Sequence, residues 1–135
     1  MREILFRGKS KDGIWIEGQL LKNCNLHFMR TNQIYIIDIE NKCNVVIPET
    51  VGQFTEMLDK NGVKLFEGDI AINGKGENVL IKIGEHGIID EDDENIYYGV
   101  YIECNKTKYP FVVGTTTNFI EVIGNIHDNQ ELLKK

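Results

Sequence analysis

Alanine and serine each occur once in the 135 residues, as Ala71 and Ser10; proline occurs twice and tryptophan once. The near-absence of alanine beside only 9 Leu, against 19 Ile, 9 Val and 7 Thr, disfavours a helical protein and favours pleated sheet, where β-branched side chains lose little freedom. A lone serine in a basic turn, without a G-x-S-x-G setting, excludes the usual serine-nucleophile hydrolases. No stretch of apolar residues approaches the length of a membrane-spanning helix, and Ile4, Leu5 and Phe6 are too few for a secretory core. The expectation is a soluble protein that is not exported and makes no membrane contact. Cationic residues are also short, 15 against 21 acidic, so the net charge is −6 and the surface as a whole repels polyanions. The three cysteines, Cys24, Cys43 and Cys104, lack C-x-x-C spacing and fit reduced thiols in a cytoplasm; they offer no zinc site.

What is present is alternation punctuated by turns. Ile14, Ile16 and Leu20 share one strand face, as do Leu26 with Phe28, and Ile34, Ile36 and Ile39 with one step out of phase. Turn signals fall at Lys11-Asp12-Gly13, Thr31-Asn32, Asn41-Lys42, Asn61-Gly62, Asn73-Gly74 and Asn105-Lys106. This pattern predicts a mainly β fold, a small barrel-like or meander domain of short antiparallel strands. It is read as one domain over residues 1–135, with two lobes, 1–52 and 53–135, and no linker between them. Asp128, with Glu131 three residues on, predicts the N-cap of a short C-terminal helical turn. Residues 49–58 read as strand with a turn, since Thr50, Val51 and Thr55 are β-branched and Gly52 is central.

Few residues suggest chemistry. Cys24, Cys43 or Cys104 with His27, His86 or His127 could supply a nucleophile and base, and Glu67 with Asp69 an acid and base pair, which leaves a small hydrolase-like enzyme as a remote alternative. The plainer reading makes the cysteines packing and the Glu67-Gly68-Asp69 acids caps of a turn. Gly74-Lys75-Gly76 lacks the phosphate-loop spacing and reads as a hairpin turn. The run Asp90, Glu91, Asp92, Asp93 and Glu94 holds five negative charges, without which the chain would carry only −1; it lacks a calcium-loop pattern and reads as a solvated hairpin tip. The first eleven residues have a surplus of +3, from Arg2, Arg7, Lys9 and Lys11 against Glu3, with Trp15 close by. Cations beside an aromatic platform are what a barrel that binds single-stranded nucleic acid needs, and these five residues are the candidate contacts. The competing reading leaves Arg7 and Lys9 as ordinary solvated positions of a strand that buries Ile4 and Phe6. No cofactor is indicated.

Three segments stand out together: Arg2-Glu3-Ile4-Leu5-Phe6-Arg7-Gly8-Lys9 with Gly13-Ile14-Trp15-Ile16-Glu17-Gly18; Ile47-Pro48-Glu49-Thr50-Val51-Gly52-Gln53-Phe54-Thr55 through Asp59-Lys60-Asn61-Gly62 to Leu65-Phe66-Glu67-Gly68-Asp69-Ile70; and Glu121-Val122-Ile123-Gly124-Asn125-Ile126-His127-Asp128-Asn129 with Glu131-Leu132-Leu133. Taken together they resemble the YopX family of small phage and prophage proteins. The acidic insert near residue 92, and Gln130 where the family usually has proline, depart from the pattern. The resemblance implies a mainly β fold and a phage or prophage origin in a bacterial cytoplasm, and it implies no reaction. The expected role is a non-enzymatic accessory protein that binds a host or phage protein through a sheet edge or hairpin loop and self-associates as a homo-oligomer, with nucleic-acid binding as the alternative.

Overall fold

The structure, a computed structural model, describes residues 4–21, 33–89, 94–104, 107–110 and 119–133, with the backbone alone at 85–89, 94–98 and 110. The described residues form eleven strands in two antiparallel sheets, and the only helical elements among them are two 3-10 turns. The mainly β expectation holds, with one correction: neither sheet closes into a barrel. The chain divides into two compact units, Met1–Phe54 and Thr55–Lys135.

In the first unit, β1 (Phe6–Lys9), β2 (Trp15–Leu21), β3 (Ile34–Ile37) and β4 (Cys43–Val46) form a meander, and the first residues of β5 (Gly52–Leu58) pair on the far side of β1. The registers Gly8↔Ile16 and Leu20↔Ile36 put Gly8, Ile16, Gly18, Leu20 and Ile36 on one face, and Val46 follows through its pairing with Ile34. Although β4 is three strands from β1 in the sheet, a Cβ on Gly8 would lie 3.0 Å from Val46 and 3.1 Å from Ile36. The sheet is therefore strongly curled, and glycine at position 8 lets β1 and β4 approach. Just past β4, the Ile47 N–H donates to the Lys9 carbonyl at 2.8 Å, and the Lys9 N–H donates to Thr50 Oγ1 at 2.8 Å. These links fasten β1 to the segment after β4 without a ladder between the two strands. Thr50 lies in the 3-10 turn Pro48–Thr50, so residues 49–58 begin with this turn before the expected strand.

In the second unit, β5 continues and pairs with β6 (Lys64–Phe66), while β7 (Asp69–Ile72), β8 (Asn78–Ile89), β9 (Glu94–Cys104), β10 (Thr107–Pro110) and β11 (Glu121–Asn125) form a sheet in the order β10-β9-β8-β7-β11. Leu65, Ala71, Val79, Ile81, Ile102 and Ile120 make its buried core, each large apolar side chain contributing about 1.5–3 kcal/mol. Glu67 and Gly68 form the turn between β6 and β7, in line with the plainer reading of Glu67-Gly68-Asp69. Gly68, at φ +94°, turns the chain between β6 and β7, its N–H donating to the Ile81 carbonyl at 2.8 Å. The C-terminal 3-10 turn spans Gln130–Leu133, so its N-cap position falls on Asn129, whose carbonyl accepts the Leu132 N–H, and not on Asp128.

Beyond its pairings with β7 and β10, the β8–β9 hairpin continues from Glu85↔Tyr98 to Ile89↔Glu94 with no third strand among the described residues. Of the acidic run, residues 90–93 lie outside the described residues, as do the expected turns at Thr31-Asn32 and Asn105-Lys106 and the Leu26–Phe28 strand.

Candidate interaction surfaces

Antiparallel register places Trp15 directly across from Lys9, and Glu17 across from Arg7, on the face of the β1–β2 ladder opposite Gly8 and Ile16. The hairpin that brings them together is a short turn in which the Gly13 N–H donates to the Ser10 carbonyl at 3.0 Å and the Ser10 N–H to the Ile14 carbonyl at 2.9 Å. The guanidinium carbon of Arg7 lies 4.9 Å from the Trp15 ring centroid, and the Lys9 Nζ 6.0 Å from it. The Nε and Nη2 of Arg7 are buried, so the expectation of a solvated Arg7 is corrected: this side chain packs over an aromatic ring. A cation over such a ring contributes about 0.5–2 kcal/mol. Of the five nucleic-acid candidates, Arg7, Lys9 and Trp15 meet; Lys11 is exposed in the turn, and Arg2 lies outside the described residues. Ile4, expected to be buried, is largely exposed.

The second surface was hidden from strand periodicity. Ile39 falls after the end of β3, so it does not share the strand face of Ile34 and Ile36; it is 97% exposed at the tip of the β3–β4 hairpin. That tip is held by Asp38. One carboxylate oxygen accepts the Lys42 and Glu40 N–H groups at 2.9 and 3.0 Å, and the other accepts the Asn44 side-chain amide at 3.1 Å. The Lys42 hydrogen bond first, then those of Asn44 and Glu40, hold the Asp38 carboxyl below its usual range despite partial desolvation. Asn41 takes φ +61° to complete the turn. At the tip of the β1–β2 hairpin, Ile14 is likewise 62% exposed. In an antiparallel meander the first and third connections lie at the same end, so both isoleucine-bearing tips mark one end of this sheet. The signal that could have found Ile39 is Asp38, a side chain suited to accepting backbone N–H groups four residues ahead of Lys42.

Among the described residues, the candidates for catalysis lie on several elements, and a Cβ on Gly68 would come within 3.8 Å of His127 Nε2, which places that imidazole beside the Glu67-Gly68-Asp69 turn. Asp69 is 1% exposed, and its Oδ2 accepts the Phe66 N–H at 2.7 Å, which braces the β6–β7 turn; Glu67 is half-buried beside it. Cys43 is half-buried on β4; Cys104 packs against the second unit's core, with its Sγ 3.7 Å from Glu77 Oε2. His127 is exposed, and Cys24, His27 and the His86 side chain lie outside the described residues. Gly74-Lys75-Gly76 is a hairpin turn in which Asn73 Oδ1 accepts the Lys75 and Glu77 N–H groups, each at 2.9 Å. Lys82 donates to Glu103 at 2.9 Å, and this hydrogen bond raises the lysine's pKa above its ordinary value. Among the described residues no three His, Cys, Asp or Glu side chains gather as metal ligands, and no helix is long and apolar enough to cross a membrane.

A family model described as YopX protein matches residues 5–134, nearly the whole chain. No curated protein matches it.

Proposed function

Since the chain belongs to the YopX family, we propose that it is a non-enzymatic accessory protein of phage or prophage origin that binds a host or phage protein in the bacterial cytoplasm. The observation that carries this reading is Ile39: a fully exposed β-branched side chain on a turn whose three Asp38 hydrogen bonds give it a fixed position. An isolated exposed apolar residue is ordinary, but a rigid pair of isoleucine-bearing tips at one sheet end is a ready anchor for a partner's apolar pocket. The portion of the β8–β9 hairpin that has no third strand beside it among the described residues fits the same reading, because a two-stranded ribbon is marginal in water and gains from cover.

Ile39→Asp tests this reading. It is expected to leave unfolding free energy within about 0.5 kcal/mol, as surface changes do, and to abolish recovery of the protein partner captured by the wild type from the host bacterium. Unchanged recovery with Ile39→Asp and with Ile14→Asp would overturn it.

One observation favours the second reading, in which nucleic acid is the ligand: Arg7, Lys9 and Trp15 share a face. Against it, Arg7 already covers the ring on which a base would stack. Titration of a labelled single-stranded oligonucleotide at rising salt is expected to show no binding at physiological ionic strength. Binding that falls linearly with log salt, and is lost in Arg7→Ala/Lys9→Ala, would support the second reading instead.

A further inference from the structure

We propose that Asn61 is a site of spontaneous deamidation in the folded protein, and that the fold withholds the same reaction from the same dipeptide at Asn73. Asn-Gly occurs twice in the chain, at Asn61-Gly62 and Asn73-Gly74, and each pair lies in a turn between strands. In this reaction the glycine backbone nitrogen gives up its proton and bonds to the asparagine side-chain carbonyl carbon. Ammonia leaves, and water then opens the five-membered imide at either carbonyl, giving aspartate or isoaspartate. Glycine obstructs ring closure least, since it carries no Cβ. What separates the two pairs is how much must be undone before the side-chain carbonyl carbon can reach that nitrogen.

Asn61 is exposed, and its side chain makes one hydrogen bond among the described residues, from the amide to Glu121 Oε1 at 3.1 Å. The Gly62 N–H donates to the Asp59 carbonyl at 3.1 Å. Beyond its chain neighbours, nothing among the described residues lies within 4 Å of a Cβ built on Gly62, so water reaches this side of the turn. Asn73, by contrast, is half-buried with every polar group engaged. Its Oδ1 accepts the Lys75 and Glu77 N–H groups, each at 2.9 Å, and its side-chain amide donates to Glu77 Oε1 at 3.2 Å. Its backbone N–H donates to the Glu77 carbonyl at 2.9 Å, and its carbonyl accepts the Gly76 N–H at 3.1 Å. A Cβ on Gly74 would also meet Phe119 at 3.7 Å, so an aromatic ring lies against this pair. Ring closure at Asn73 therefore breaks three side-chain hydrogen bonds, whereas at Asn61 it breaks one and releases the Gly62 N–H. Conversion at Asn61 exchanges an amide that donates to Glu121 for a carboxylate that repels it, and isoaspartate adds a methylene to the backbone of the turn.

The test incubates the folded wild-type protein in mildly alkaline buffer, where the glycine nitrogen loses its proton more readily. Peptides carrying each pair are followed by mass spectrometry, with aspartate and isoaspartate forms separated by chromatography, and the reference is the same protein held in concentrated guanidinium. In the folded protein Asn61 is expected to convert at least about tenfold faster than Asn73, the effect on a rate of roughly one further hydrogen bond to be broken. In guanidinium the two rates are expected to converge, because glycine follows asparagine in both and the turns are gone. Equal rates in the folded protein, faster conversion at Asn73, or an Asn61 that stays intact while the unfolded reference converts would each overturn the proposal. Asn61→Gln, which would have to close a slower six-membered imide, is expected to remove the isoaspartate signal from its peptide, and a signal that persists would overturn the assignment to this residue.

Discussion

Gly18→Ala is expected to destabilise the first unit by about 3 kcal/mol or more, at or above the upper end of the range for an added methyl in a packed interior. A Cβ built on Gly18 would collide with the Ile37 carbonyl oxygen and lie 2.7 Å from its carbonyl carbon. Both atoms are backbone of the paired strand β3, so no rotamer change relieves the clash; the β2–β3 ladder itself must move. The same methyl would meet Ile36 Cγ2 at 3.0 Å, which blocks the obvious direction of escape. Gly76→Ala is the matched control. It has open space around it and φ +78°, so it is expected to lose about 1–2 kcal/mol from backbone conformation alone. Urea unfolding combined with amide exchange across β2 and β3 measures the difference, and a Gly18→Ala protein within about 1 kcal/mol of the wild type would contradict the close approach.

The second large effect belongs to Asp59→Ala, expected to lose about 3 kcal/mol through the three backbone N–H groups left without their charged acceptor. Asp59 is 6% exposed, and that burial is the largest influence, pushing its carboxyl upward. The hydrogen bonds from Val122, Val63 and Asn61, with the charge of Lys60, outweigh it and leave the pKa below the ordinary aspartate value of 3.8. The folded protein therefore releases this proton more readily than the unfolded chain does. Its contribution is complete above the ordinary aspartate range and is lost as pH falls through the lower, folded-state value. Urea midpoints of wild type and Asp59→Ala should differ most at neutral pH and converge in strong acid. A gap that stays constant from neutral pH to strong acid would show that the carboxylate charge contributes nothing.

The residues that announced the fold were those whose effect is local. An excess of isoleucine over alanine, and Asn-Gly and Asp-Gly pairs at the hairpins, act within a few residues, and the strands follow them. Curvature was not legible, because it depends on Gly8 meeting Val46 and on Ile47 reaching the Lys9 carbonyl, contacts set by register across four strands. For the same reason alternation alone could not distinguish a barrel from an open, curled sheet. The Glu67-Gly68-Asp69 turn was legible from its residues, whereas the burial of Asp69 was not, because a side chain that accepts the Phe66 N–H looks in the sequence like any other acid. At the candidate surfaces, the grouping of Arg7, Lys9 and Trp15 was legible from spacing. That Arg7 lies over the ring was not, since composition counts charges and does not show which are already engaged. Ile39 was misplaced because Asp38 draws the chain into a turn one residue after β3 ends, where period two no longer applies.

The most direct test of the interaction-module account is purification of the tagged protein from the infected or lysogenic bacterium, with and without nuclease, and measurement of what remains bound per chain. The account predicts a protein recovered in near-equal amount whether or not nuclease is present. Recovery of nucleic acid, with every accompanying protein lost after nuclease, would contradict it and move the ligand site to Arg7, Lys9 and Trp15.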